Sequence, residues 1–225
     1  MHPLDNLIWN SLGTRHAQFA EGNDGARRFV PEVSMLGTLA AFTPAGYEWL
    51  GKLQRNGEVT ALFLNEPMKP PRGWVVVREA PLWQMVLGDA PVSYKKYDDI
   101  LQLGAADAKE MVELAALTKP GPFAMRTHEL GTYLGIRVNG ELVAMAGERL
   151  KVPGYTEVSG VCTRPEHTGK GYARTLMGIL IEQIRARGER PFLHVRQTNT
   201  HASELYKRMG FEERVLLHLL VARRT

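Results

Sequence analysis

The 225 residues include one cysteine, Cys162, so no disulfide can close within the chain, and a reducing cytoplasm is the compartment this implies. There is no charged-then-apolar leader and no apolar run of membrane length, so no membrane partner is expected. Lys and Arg number 28 against 24 Asp and Glu, for a formal charge of +4 and a pI near 9.2. These cations are scattered rather than gathered in a stripe, which argues against a nucleic-acid surface; a small anionic ligand would suffice. No group of His, Cys, Asp and Glu has metal-ligand spacing, so no metal is expected. Two nucleotide-binding patterns also fail. Gly169-x-Gly171 is followed by Arg174 where a dinucleotide-binding turn needs its third glycine, and Tyr172 stands where a P-loop needs Ser or Thr.

What is present is a hydrophobic fraction of 44%, enough to bury a sizeable core in one large or two small domains. Leu4, Leu7, Ile8 and Leu12 follow helical spacing, Arg27 to Val30 reads as a short strand, and Met35 to Phe42 is ambiguous. Thr43-Pro44 supplies an N-cap and a first-turn proline for a helix to about Arg55. Val59 to Leu64 and Trp74 to Leu87 read as strands around a proline-rich loop. The pattern weakens over Gly88 to Asp99, which places a boundary near Ala90 between a region 1–90 and a domain 91–225. Asp107 caps a helix through Leu117, and Asn139-Gly140 closes a hairpin of Thr132 to Val138 with Glu141 to Arg149. Strand Tyr155 to Thr163, helix Ala173 to Arg187, strand Pro191 to Arg196, helix Thr200 to Met209 and strand Phe211 to Val221 complete the order.

The stretch Val161 to Ala173 reads as strand, glycine turn, helix. Such a turn suits phosphate, because glycine lets backbone approach a ligand and first-turn N–H groups lack internal partners. Thr168-Gly-Lys-Gly-Tyr-Ala173 resembles the Gln/Arg-x-x-Gly-x-Gly/Ala signature of the GCN5-related N-acetyltransferases, with Thr168 departing from its first position. Asn199-x-x-Ala202-x-x-x-Tyr206-x-x-x-Gly210-Phe211 resembles the second cofactor-contacting helix of that family. The flanks, Cys-Thr-Arg-Pro-Glu-His and Pro-Phe-Leu-His-Val-Arg, look like its FR47-like subgroup. The resemblance covers about Gly104 to Thr225 and implies an α/β fold of the α+β kind, a mixed, largely antiparallel sheet flanked by helices. For residues 1–90, a shortened, degenerate copy of the same fold that binds no cofactor is one reading.

The resemblance also implies acetyl-coenzyme A as cosubstrate and a primary amine as acceptor, in direct transfer. A non-catalytic acyl-coenzyme A sensor or scaffold is the alternative. The cofactor would be held by Thr168, Gly169, Lys170, Gly171, Tyr172, Ala173 and Arg174, by the backbone of Val161, Cys162 and Thr163, and by Asn199, Ala202 and Tyr206. Tyr206 matches the family's general acid. Glu157, four residues before Val161 on the same strand, is the candidate base, with a pKa raised by burial, and His194 and His201 follow it. Cys162 also reads as a small buried hydrophobe, Asn199 as an ordinary N-cap, and Lys207 and Arg174 as solvated surface charge. Arg126, Thr127 and His128 are expected near the acceptor, whose identity stays open, and a homodimer is admitted.

Overall fold

The computed structural model describes residues 2–97 and 99–225. The N-terminal region holds α1 (Leu7–Leu12), β1 (Ala20–Gly22), β2 (Ala26–Phe29), β3 (Gly37–Leu39), α2 (Pro44–Leu53), β4 (Thr60–Leu64) and β5 (Trp74–Leu87). After the connecting segment come β6 (Ile100–Leu103), α3 (Ala108–Thr118), β7 (Tyr133–Val138), β8 (Glu141–Val152) and β9 (Tyr155–Thr163). The chain ends with α4 (Tyr172–Ala186), β10 (Arg190–Arg196), α5 (Thr200–Arg208) and β11 (Phe211–Arg224). Local chemistry sets several of these boundaries. The Thr43 hydroxyl accepts from the Gly46 N–H at 3.3 Å ahead of α2, and left-handed Asn139 (φ 52°) and Gly140 (φ 84°) turn the β7–β8 hairpin. Asp107 departs from its expected role: its carboxylate accepts from the Gly104 N–H at 3.0 Å and pairs with Arg137, so it closes the turn before α3 instead of capping that helix.

Two sheets result. β1, β2 and β3 form a small antiparallel sheet, and the large one runs β4-β11-β5-β10-β9-β8-β7-β6. Its pairs are antiparallel except β9 with β10. β5 lies between β10 and β11, pairing Leu82 to Val86 with Arg196 to Phe192 on one side and running the length of β11 on the other. The expected boundary near residue 90 is therefore no division of the sheet, since two of its eight strands precede that point. The segment after Gly88 is polar because it straps the surface of α4. Arg174 donates to the Ser93 carbonyl, the Thr175 hydroxyl donates to the Lys95 carbonyl, and the Tyr94 ring lies where a Cβ on Gly178 would stand. β6 was not expected from the sequence, being a four-residue edge strand too short to display a period of two.

Each face of the large sheet is covered. α4 buries Leu176, Met177, Leu180, Ile181 and Ile184 against Ala144, Ala146, Val158, Leu193 and Val195. At about 1.5–3 kcal/mol per buried aliphatic side chain, those five contribute roughly 10 kcal/mol before chain entropy is counted. The opposite face takes α1 through Leu7, Ile8 and Leu12 against Leu150, Val152 and Phe192, and α3 through Met111 and Leu114 against Tyr133, Met145 and Cys162. Alternation along β10 shows the assignment: Leu193 and Val195 meet α4, while Phe192, the residue before Leu193, faces α1.

Candidate active site

The site is organised by a parting of strands. β9 and β10 pair from Arg190↔Tyr155 to Phe192↔Glu157 and no further, after which β10 follows β5 and β9 follows β8. Gly160 (φ 63°) occupies a bulge, where Ser159 to Cys162 on β9 oppose Gly147 to Met145 on β8, and only glycine takes that backbone without strain. Beyond Glu157, the edge of β9 that includes Val161, Cys162 and Thr163 thus has backbone groups unclaimed by β10. An extended ligand can bond there as an extra strand would.

At the end of β9 the chain turns into α4. Gly169 (φ 78°) and Gly171 (φ 86°) are left-handed, and apart from the adjoining backbone nothing lies within 4 Å of where their Cβ atoms would be, so the turn is an open cradle. The first intrahelical bond joins the Thr175 N–H to the Gly171 carbonyl at 3.0 Å, leaving the N–H groups of Tyr172, Ala173 and Arg174 directed ahead of the helix. A 15-residue helix presents the positive end of its dipole there. Lys170 adds a cation beside the turn, and the Tyr97 hydroxyl donates to its carbonyl at 2.6 Å. Thr168 bonds the Pro165 carbonyl at 2.8 Å, which shapes the turn from within. These groups fit a pyrophosphate.

Across the gap, α5 carries Tyr206, 9% exposed and packed edge-on to Phe211. Burial, with the Cys162 thiol as second cause, pushes the Tyr206 phenol up to about 12, so it keeps its proton and can donate it. Burial likewise pushes the Cys162 thiol up to about 11, which suits packing and not a thiolate nucleophile. Asn199 caps α5, its Oδ1 accepting from the Ala202 N–H at 3.2 Å, while Ala202 packs against the core. Lys207 is engaged by Glu213 at 2.6 Å, and Arg174 by the strap. His201 sits exposed on the first turn of α5.

Glu157 differs from expectation. It is 1% exposed, and its two oxygens accept four hydrogen bonds: Arg149 Nε at 2.9 Å, Arg149 Nη2 at 2.7 Å, His194 Nδ1 at 2.7 Å and the Leu150 N–H at 3.2 Å. Burial alone would raise its pKa, as the sequence led us to expect. The Arg149 guanidinium, then His194, outweigh burial and hold the carboxyl at about 2. A carboxylate with every lone pair engaged is a poor proton acceptor, and Glu157 does not have the raised pKa of a base.

Residues not singled out from sequence complete the surroundings. Arg149 is buried, Gln84 on β5 bonds His194 at 3.2 Å and Arg214 at 2.7 Å, and Arg214 pairs with Asp5 near the N-terminus. The available signal was the group of charges Glu148, Arg149 and Lys151 breaking the apolar run that begins at Leu142, on the strand that pairs with the one carrying Glu157. Thr127, expected at the acceptor side, binds the loop after α3 to the N-terminal region through the Val33 carbonyl at 2.7 Å. Exposed Arg126 pairs with Glu129 at 2.7 Å, and half-buried His128 bonds the Met125 carbonyl at 3.0 Å. A cavity of about 540 Å³ between the N-terminal region and β11 has Asp5, Phe63 and Arg214 in its wall. Among the described residues there is no group of three or more potential metal ligands, and no helix is long and apolar enough to cross a membrane.

Comparison with known proteins gives the same frame. The FR47-like protein family matches residues 133–219. The chain is 36% identical over 121 residues to the N-alpha-acetyltransferase RimI of Mycobacterium tuberculosis, spanning 49% of this chain and 75% of that protein. A crystal structure of a GNAT-family acetyltransferase from Novosphingobium aromaticivorans is 38% identical and superposes over 100% of both chains with a TM-score of 0.91. A GCN5-related N-acetyltransferase from Kribbella flavida shares the fold at 17% identity, with a TM-score of 0.62 over 96% of this chain and 95% of that one. This chain belongs to the GCN5-related N-acetyltransferases, an acyl-coenzyme A-dependent enzyme family, with its FR47-like segment running from β7 into β11.

Proposed function

We propose that the protein transfers an acetyl group from acetyl-coenzyme A to a primary amine by direct attack. The observation that carries this reading is the open Gly169-Lys-Gly171 cradle at the start of α4, one loop away from the strand gap that begins beyond the Glu157↔Phe192 pair. Residues Thr168 to Arg174 would hold the pyrophosphate by backbone N–H groups and the helix dipole. The free edge of Val161, Cys162 and Thr163 would take the pantetheine arm and the acetyl oxygen, with Asn199 and Ala202 on its other side. Tyr206 would serve the departing sulfur. A phenol held near 12 is not left as phenolate, so it offers a hydrogen bond, or passes on a proton it recovers from the attacking amine, as the C–N bond forms and the C–S bond breaks.

Glu157 is not given the base role, because its lone pairs are spent on Arg149, His194 and Leu150. The attacking amine would arrive neutral from solvent. Calorimetric titration with coenzyme A, followed by thiol release from acetyl-coenzyme A with a panel of amines, tests the proposal. Binding without turnover by any amine would favour a scaffold, and no binding would remove the reading altogether.

A further inference from the structure

Residues 88–97, between β5 and β6, form neither helix nor strand, yet they are fastened along α4 from one end to the other. At the last turn of α4, Arg185 donates to the carbonyls of Gly88 at 2.5 Å and Ala90 at 3.0 Å. Further along, the Tyr94 hydroxyl donates to Glu182 at 2.6 Å, and its ring lies where a Cβ on Gly178 would stand. At the first turn, Arg174 donates to the Ser93 carbonyl at 2.9 Å and Thr175 to the Lys95 carbonyl at 2.6 Å. Tyr97 then meets the phosphate turn itself, at the Lys170 carbonyl, 2.6 Å away. Ordering such a segment costs about 1–2 kcal/mol per residue in backbone entropy, and the contacts that offset this cost deliver residues 95–97 to the cradle.

Two exposed cations beside the cradle are held by uncharged groups. Lys170 Nζ donates to His167 Nδ1 at 3.2 Å, and Lys95 Nζ stands 4.8 Å from the centroid of the Tyr97 ring. Arg174 and Lys207, by contrast, are engaged by the Ser93 carbonyl and by Glu213. The Tyr97 ring is itself fixed, edge-on to Tyr172 at 5.3 Å, with its hydroxyl on the turn. One phenol ring therefore sets the separation between the turn and the Lys95 ammonium.

Coenzyme A presents two kinds of phosphate. Its pyrophosphate suits backbone N–H groups and a helix dipole, which the turn supplies. Its 3′-phosphate is a monoester, with a charge of about −1.5 to −2 at neutral pH, and calls for cations. Resting on the coenzyme A reading above, we propose that Lys95 and Lys170 bind the 3′-phosphate of coenzyme A, with Tyr97 as the positioning residue that joins the strap to the turn. The spans agree, because one ribose separates that phosphate from the pyrophosphate as one phenol ring separates Lys95 from the turn. Preference for the 3′-phosphorylated nucleotide then comes in part from a segment outside the FR47-like residues 133–219.

The test titrates coenzyme A and 3′-dephospho-coenzyme A into the full chain by calorimetry. The unsubstituted protein should prefer coenzyme A by about tenfold, and the preference should shrink as salt is raised. Lys95→Met removes a charge from an exposed side chain, so the fold is retained. It should weaken coenzyme A binding by about fivefold and leave the dephospho form unchanged. Lys52 on α2, 4.1 Å over the Trp49 ring, supplies the matched control, and Lys52→Met should change neither affinity. Tyr97→Phe should weaken both ligands alike, because it acts through the turn; unchanged affinities would remove its positioning role. Equal affinity of the unsubstituted protein for the two ligands would overturn the proposal, and so would equal losses for both in Lys95→Met. Failure of both ligands to bind would instead strike the coenzyme A reading itself.

Discussion

His194 Nδ1 lies 2.7 Å from Oε1 of Glu157, and the direction of that bond is set on another strand. Arg214 can only donate, so the Gln84 atom it meets at 2.7 Å is the oxygen. The Gln84 amide nitrogen then faces His194 and donates to Nε2 at 3.2 Å, which puts the imidazole proton on Nδ1, pointing at Glu157. A hydrogen-bonded chain thus crosses the sheet on the face opposite α4, through β11, β5, β10, β9 and β8, directed from Arg214 toward Glu157, which Arg149 meets as a donor from the other side.

One consequence concerns stability. Glu157→Gln leaves the buried Arg149 cation without its partner and should cost about 3–5 kcal/mol, read as a lower denaturant midpoint. The folded pKa near 2 lies below the ordinary 4.5, so the stability from Glu157 is present above pH 4.5 and lost as pH falls toward 2. Urea melts from pH 6 down to pH 3 should show that loss in the unsubstituted protein and a shallower one in the variant. Identical slopes would remove Glu157 from the account.

Tyr206 and Cys162 should separate in turnover. Tyr206→Phe should lower kcat by about ten- to ten-thousand-fold with coenzyme A affinity largely kept, the range expected when a proton donor is removed. Cys162→Ala should keep most of its turnover, because a thiol pushed to about 11 holds almost no thiolate at neutral pH. An inactive but folded Cys162→Ala protein would reopen covalent catalysis.

The phosphate turn can be tested against a matched control. Gly171 and Gly188 bracket α4 with φ of 86° and 74°, so valine at either is strained by about 1–3 kcal/mol. Only Gly171→Val should also weaken coenzyme A binding, by about tenfold or more. Titration calorimetry on both variants checks this, and equal affinities would place the pyrophosphate elsewhere.

Residues 91–225 expressed alone should not reach the native fold. Without β5, the facing edges of β10 and β11 lose their shared partner, and Leu193 and Phe211 lose the Met85 and Leu87 side of their core. Supplying residues 1–90 in trans should restore part of the structure by circular dichroism. A cooperative thermal transition in the isolated fragment equal to that of the whole chain would contradict this.

Much of the local structure was legible from residue order, because its causes are local. Trp74 to Leu87 and Tyr155 to Thr163 match observed strands end to end, Asn139-Gly140 turns a hairpin, and Thr43-Pro44 opens a helix. The glycine turn before α4 was legible for the same reason, since left-handed backbone at Gly169 and Gly171 is a property of those residues. Long-range arrangement was not. Nothing in the spacing of β5 says that it enters between β10 and β11, because strand pairing depends on which apolar faces meet once the chain has collapsed. Glu157 shows the cost of that limit. From sequence it is a carboxylate on a half-buried strand, and burial argues for a raised pKa. The fold brings Arg149 from β8 and His194 from β10 against it, and Coulomb attraction to the Arg149 guanidinium at 2.7 Å, with the hydrogen bond from His194, reverses the sign. Residue order determined what each segment would be; contact between distant segments decided which charges met.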